Sequence, residues 1–493
     1  MKKLNRNMKA CAVLILWAGW ATILGAQTLT TLHSFDATDG DQPASPLTQA
    51  ANGGLYGTTE SGGQSNGGGG GTFFSITPSG ALTTVFAFPC NEITCPDSAG
   101  PRGPVIQATD GSFYGTTWGG DVTAGTVFKI TPNGALTTLY KFCSQPDCLD
   151  GDWPSDGVVE GADGNFFGTT PVGGIRDDCD GYYCGTIFKI TAGGTLTTIH
   201  EFCEQGRCPD GNQPAAGLAL GPDGNLYGTT YYGGIPIFGY GTVFKITPSG
   251  TLATLYDFCI QSFCMDGAYP AGTLTLGSDG EFYGTTSQGG LNGCGYFAGG
   301  CGTVFKITPR GALTTLHVFD LTDGEFPGAA LVQDSSGNFY GTTSEGGAYN
   351  GGTIFKITPD GTFATLYNFC SQPNCADGDD SNGLVQDTNG VFYGTTSNGG
   401  ANGFGTVFSL DMGLGPFVKT NPVAGKVGAT VGILGTNLTG ATGVKFNGTE
   451  TAFRVVSSTF IEAKVPSGAT SGTVTVQLPS GTLSNNVPFV VLE

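Results

Sequence analysis

Charge is scarce in this chain, and basic charge scarcer still. Of 493 residues only 12% are charged, 19 of them Lys or Arg against 39 Asp or Glu, for a formal charge of −20. So few cations exclude an electrostatic nucleic-acid binder, because phosphate recognition needs clustered Lys and Arg. Histidine occurs three times. No HExxH metal pair can be drawn from His33, His200 and His317, and no Ser-His-Asp set can be assembled from them. Helical heptads are absent. Beyond residue 26 no apolar run approaches the roughly 20 residues that a membrane-spanning helix needs.

The first 26 residues are different in kind. Lys2, Lys3, Arg6 and Lys9 precede an apolar run from Ala10 to Leu24, with small residues at Gly25 and Ala26. This pattern predicts a secretory signal peptide over 1–26, with an uncleaved anchor as the alternative. After cleavage the expected protein is secreted, extracellular or at the cell surface, with no membrane span left.

Glycine is abundant, 86 residues, as suits a turn-rich all-β chain. Gly-Thr-Thr follows Tyr56, Tyr114, Phe167, Tyr227, Tyr283, Tyr340 and Tyr393, at spacings of 58, 53, 60, 56, 57 and 53 residues. A period of this length marks repeated supersecondary units. Each unit holds four short apolar segments, in the fourth copy Gly217 to Leu220, Leu226 to Thr230, Thr242 to Thr247 and Leu252 to Phe258. Asp223-Gly224 and Pro248-Ser249-Gly250 supply the tight turns. Seven such units over 27–412 predict a seven-bladed β-propeller; a β-solenoid is the competing architecture. Leu29 to Phe35 reads as a fourth strand with no partners before it, and the seventh copy stops after its third, so the N-terminal strand is expected to complete the last blade and close the ring. After a linker at 413–416, residues 417–493 read as a small β-sandwich.

Fourteen cysteines follow the signal, and disulfides are expected in an exported chain. Cys90-Cys95, Cys143-Cys148, Cys203-Cys208, Cys259-Cys264 and Cys370-Cys375 all fall just after a fourth strand. Cys179-Cys184 and Cys294-Cys301 fall between second and third strands. Zinc is the competing reading, against which the spacing counts. In an antiparallel blade both connections emerge at one end, so all seven bridges should share one face of the ring. Each local bridge should contribute roughly 2 kcal/mol by loop entropy.

The same face carries the aromatics that the repeats do not share. Trp118, Trp153, Tyr182, Tyr183, Tyr231, Tyr232 and Tyr269 are the candidate ligand-binding residues, with Tyr296 and Phe297 beside them, since variable loops on a rigid scaffold are where function resides. The Asp-Gly pairs read first as turn caps, although Asp150 with Asp152, and Asp377 with Asp379 and Asp380, could offer oxygen ligands to calcium. No other cofactor is indicated. Lys129, Lys189, Lys245, Lys306 and Lys356 share one third-strand position, as a basic ring for an anionic glycan or as outward, solubilising side chains. The histidines occupy the position of Phe86, Tyr140, Tyr256 and Tyr367, and read as packing residues.

The Tyr-Gly-Thr-Thr and Gly-Thr-Val-Phe-Lys-Ile-Thr-Pro blocks, as at 227–230 and 241–248, resemble the extracellular bacterial tandem-repeat family called GloVer over residues 29 to about 411. The resemblance brings no activity with it. Residues 417–493 resemble the IPT/TIG immunoglobulin-like family through Asn421-Pro422, Gly425, Gly432 to Asn437, Val444 to Gly448 and Val465-Pro466, which implies a binding or spacer module. The function expected is non-catalytic binding of carbohydrate or an envelope protein at the disulfide-bearing face. The alternatives are a propeller polysaccharide lyase or glycoside hydrolase using paired carboxylates, and a purely structural envelope protein.

Overall fold

The computed structural model describes residues 28–64, 69–90, 99–119, 124–174, 184–204, 207–235, 239–290, 294 and 299–492. The expected signal segment lies outside them, as do Tyr182, Tyr183, Tyr296, Phe297, Cys95 and Cys179.

Between Thr28 and Asp411 the described strands form seven antiparallel sheets of four or five strands. In the fourth, Ala219–Leu220, Leu226–Thr230, Thr242–Ile246 and Leu252–Asp257 follow one another in chain order, close to the expected spans. One sheet departs from this pattern. Asp379–Gln386, Phe392–Asn398 and Thr406–Asp411 take their fourth strand, Thr28–Ser34, from the other end of the chain, with Leu29 opposite Leu410.

The shared residues account for these sheets. The glycine of each Tyr-Gly-Thr-Thr sits under a third-strand phenylalanine: a Cβ on Gly228 would lie 2.6 Å from Phe244 Cζ, and one on Gly341 would lie 2.5 Å from Phe355 Cζ. The last threonine of each block meets the first of the third strand, as in Thr230 with Thr242 at 2.9 Å and Thr396 with Thr406 at 2.9 Å. The preceding threonine reaches the next sheet. Thr116 donates to Asp156 O at 2.6 Å, Thr169 to Ala216 O at 3.0 Å, and Thr395 to Ser45 O at 2.9 Å. The tyrosine stacks on the following sheet too, Tyr114 on Phe166 at 4.0 Å and Tyr283 on Phe339 at 3.8 Å between centroids. Such aromatic pairs add about 0.5–1.5 kcal/mol beyond their buried area.

The third-strand lysines are not a free basic ring. Lys129, Lys189, Lys245 and Lys306 pair with Asp110, Asp163, Asp223 and Glu281 of the tight turns. Lys356 lies over the Tyr340 ring at 5.8 Å. This corrects the expectation of outward, solubilising side chains, because four of the ammoniums fold back to the first turn of their own sheet and the fifth lies over a ring.

Residues from Phe417 onward form two further four-stranded sheets and a short parallel pair, Ala424–Lys426 with Val490–Leu492. Val431, Ile433, Phe446, Ile461, Val476 and Phe489 fill the core between them. This unit is docked on the tight turns of the repeat sheets. Asn421 Nδ2 donates to Gln107 O at 2.7 Å, Thr459 Oγ1 to Ala51 O at 2.7 Å, and Asn486 Nδ2 to Gln333 O at 2.5 Å. Ala424 and Val490 pack with Leu220 and Leu226.

Candidate functional site

The opposite end of the sheets carries the connections rich in cysteine. Cys143-Cys148, Cys203-Cys208, Cys259-Cys264, Cys294-Cys301 and Cys370-Cys375 are bonded as expected. Cys90 and Cys184 are also disulfide-bonded, and their expected partners are outside the described residues. The two kinds of connection meet at this end: Gly174 N–H donates to Cys148 O at 3.0 Å and Gly400 N–H to Cys375 O at 2.9 Å. Among the described residues, two clusters would otherwise suit a metal, Cys184 with Cys203 and Cys208, and Cys294 with Cys301 and Glu325. Their sulfurs are spent in disulfides and cannot act as thiolate ligands.

The Asp of each Asp-Gly pair is a clamp on these loops. Asp150 Oδ2 accepts from Tyr140 Oη at 2.8 Å and from Ser144 N–H at 3.0 Å, while Oδ1 accepts from Gln145 N–H at 3.2 Å. Asp377 repeats this with Tyr367 at 2.7 Å and Ser371 N–H at 3.0 Å. Where histidine replaces tyrosine the same bond forms, His33 to Asp39 at 2.7 Å, His200 to Asp210 at 3.0 Å and His317 to Asp323 at 2.9 Å. The histidines are therefore polar partners of the turn as well as packing residues. Of the calcium candidates, Asp150 and Asp377 are wholly buried and used in these turns. Asp152 and Asp379 lie half-buried beside them, and burial pushes Asp152 up to about 6.

Three residues past each such Asp stands a position that the seven sheets fill differently. Gln42, Trp153, Gln213, Tyr269, Phe326 and Asp380 adopt φ between +53° and +60°, and Gly100 takes the remaining place. Left-handed backbone costs an ordinary side chain of order 1–3 kcal/mol. The conformation brings each N–H to a carbonyl of the preceding sheet: Trp153 to Ala124 O at 3.0 Å, Gln213 to Cys184 O at 2.9 Å, Tyr269 to Tyr240 O at 2.8 Å. Phe326, Asp380, Gln42 and Gly100 bond likewise to Cys301, Gly351, Phe404 and Gly70, so the series returns to the sheet where it began.

At two of these seams the side chains are aromatic on both sides. Trp118 and Trp153 lie 5.0 Å apart at 38°, and Tyr231 stacks on Tyr269 at 5.1 Å and 22°. Tyr232 stands against Tyr269 at 5.4 Å, edge to face. Trp153 and Tyr232 remain 39% and 40% exposed. Burial among the neighbouring tyrosines pushes the Tyr269 hydroxyl up to about 12. The five described aromatics singled out in the sequence thus fall at two equivalent seams, Trp118 with Trp153 at one and Tyr231, Tyr232 and Tyr269 at the other, with the seam of Pro171 and Gln213 between them.

Inside this rim is a cavity of about 500 Å³ lined by residues of all seven sheets, most of them Ala, Gly, Ser and Pro. Its charged side chains are Arg102, Asp156 and Asp380. The Arg102 guanidinium lies 4.1 Å over the Trp118 ring and bonds Glu60 Oε1 at 2.5 Å, while its buried Nε has no partner among the described residues. Asp156 accepts from Gly217 N–H at 2.5 Å, Gly157 N–H at 2.7 Å and Thr273 Oγ1 at 2.9 Å, so one carboxylate ties together three sheets. Burial pushes it above the usual carboxylate range. Burial, with Asp379 and Glu345 beside it, pushes Asp380 up to about 6.

Arg102 and Asp156 were missed in the sequence, although a signal existed. The position of Arg102 holds Ala44, Ser155, Ala215, Ala271, Gly328 or Asn382 in the other copies. That of Asp156 holds Ser45, Gly103, Ala216, Gly272, Ala329 or Gly383. A lone charge in a column of small residues was the mark of a shared cavity.

No curated protein matches the sequence. Among solved structures, a fungal alcohol oxidase of the AA5 family in complex with copper is similar at 12% identity over 95% of this chain and 100% of that one, with a TM-score of 0.49. A protein from Thermus thermophilus described as a candidate oxidoreductase (glucose dehydrogenase) is similar at 15% identity over 78% of this chain and 100% of that one, with a TM-score of 0.39. At such scores neither carries an argument about chemistry. The Gloeobacter/Verrucomicrobia repeat matches residues 21–178, 69–298 and 295–453, and the IPT/TIG domain matches 417–491. The chain therefore belongs to the Gloeobacter/Verrucomicrobia repeat family and ends in an IPT/TIG domain.

Proposed function

We propose that this protein is an exported seven-bladed β-propeller, closed by its N-terminal strand, that binds carbohydrate at its disulfide-bearing face without catalysis. The sheet-to-sheet hydrogen bonds that return from Asp380 through Gln42 support the ring. The abundance of disulfides fits an oxidising compartment. One observation carries the binding reading: two aromatic couples, Trp118 with Trp153 and Tyr231 with Tyr269, occupy equivalent seams beside a cavity whose polar groups include Arg102 and Asp380. Flat rings next to a few fixed polar groups suit the apolar faces and hydroxyl edges of a saccharide. Lyase or hydrolase chemistry gains less support, because Asp156 is occupied by three donors in its role as a clasp.

A glycan array probed with the full-length chain tests this. The wild type should be retained on a defined set of glycans, and Trp153→Ala combined with Tyr232→Ala should weaken that retention at least tenfold while the unfolding midpoint holds. Retention of nothing, or equal retention by the double variant, overturns the reading.

A further inference from the structure

The cavity inside the rim has residues of the C-terminal domain beneath it. Below it lie two smaller spaces of about 270 and 250 Å³, both bounded by Val423 and Val487 of the C-terminal domain. The three spaces adjoin: Leu384 borders the upper cavity and the first lower one, Thr273 and Ala330 border the upper cavity and the second, and Thr275 borders both lower ones. Val423 is 40% exposed, although it sits at the end of this series and against the repeat sheets. The chemistry changes along the way. Arg102, Asp156, Asp380 and Asn382 mark the upper level. Leu47, Leu331 and Val385 line the first lower space together with Gln333, Lys419, Asn485 and Asn486, and the second, with Leu274 and Leu276, is apolar except for Thr273 and Thr275. Gln386 also borders the lower level, and its buried Oε1 has no partner among the described residues. Lys419 holds the floor in place through a hydrogen bond from Nζ to Gln386 O.

We infer that the IPT/TIG domain floors the channel, making a pit with one mouth and an apolar base, and that this pit takes an amphiphile: a saccharide head at the rim with an alkyl or acyl chain directed toward Val423 and Val487. The inference rests on the carbohydrate reading for the head and on the graded pit for the chain. A polymer cannot thread such a site, and a wholly polar ligand leaves the lower spaces unused. Each methylene moved from water into an apolar base contributes about 0.8 kcal/mol, or roughly fourfold in affinity.

Titration of the full-length protein with methyl, butyl, hexyl and octyl β-glucosides, below their micelle concentrations, separates the two parts. Affinity should rise steeply with chain length in the wild type, and the rise should be lost in Val423→Trp and in Val487→Trp, each filling the base from a different segment. A wild-type series flat in chain length, or a slope unchanged in both variants, overturns the inference. A slope with no detectable methyl glucoside binding leaves the pit standing and counts against this sugar as the head. Near-UV circular dichroism and thermal midpoints like the wild type's qualify each variant as folded, and if one fails the other carries the test.

Discussion

The two ends of the repeat sheets are built from the same unit and have opposite fates. At the tight-turn end the copies stay alike: lysines pair with turn acids, and the IPT/TIG domain covers the turns through Asn421, Thr459 and Asn486. At the other end the connections vary in length, several are stapled by a disulfide of their own, and Trp153 and Tyr232 stay exposed. A structure can let one end vary because the other residues of each unit carry the packing. On the proposed reading, stability and recognition thereby fall to different residues of one repeat.

The sharpest way to break this separation is to damage the shared motif. Phe244 is fully buried and packs over Gly228. Phe244→Ala should cost about 3–5 kcal/mol, the range for emptying a large aromatic site, read as a fall in the urea midpoint. Equal damage from Trp153→Ala would erase the distinction between the two ends. A smaller effect is expected at the stapled loops. Replacing Cys203 and Cys208 by serine should cost roughly 2 kcal/mol, and protease cleavage should concentrate in that loop while the strands resist. If instead the whole chain became protease-sensitive, the loops would be part of the core's stability.

The smallest effect concerns charge at the rim. The folded Asp380 carboxyl keeps its proton up to about pH 6, above its ordinary value of 3.8. Because folding raises this pKa, the folded state binds more protons across that window, and stability falls as pH rises through it. Partial exposure screens the effect to about 1 kcal/mol. Asp380→Asn should therefore raise the thermal midpoint slightly above pH 7 and leave it unchanged near pH 3. The difference between the two melting curves against pH is the measurement, and a gain that persists at pH 3 would assign the effect to something other than ionisation.

Much of this was legible in the chain. The period, the strand spans in the fourth copy, and the cysteine pairs follow from local chemistry: hairpin turns, alternating apolar residues and short cysteine spacings. The loss of a fourth strand from the last copy pointed to Thr28–Ser34, whose pairing with Thr406–Asp411 is seen. The site was legible only as a list. Trp118 and Trp153 belong to different units, and nothing in their spacing says that they meet across a seam. Asp380 read as a possible calcium ligand, yet it lines the cavity. The third-strand lysines looked outward because strand alternation gives a face but not the bend of a long flexible side chain toward a turn acid.

The sequence alone determined the unit: its period, its four short strands with their tight turns, and the local pairing of its cysteines. These are contacts within some tens of residues, and repetition prints them seven times. Only the tertiary structure decided which of the unshared residues face one another, that Arg102 and Asp156 share one cavity, and that the C-terminal domain lies beneath it. Those relations join residues whose separation along the chain is unrelated to their separation in space, so they arise from the way the sheets pack side by side and not from any one segment.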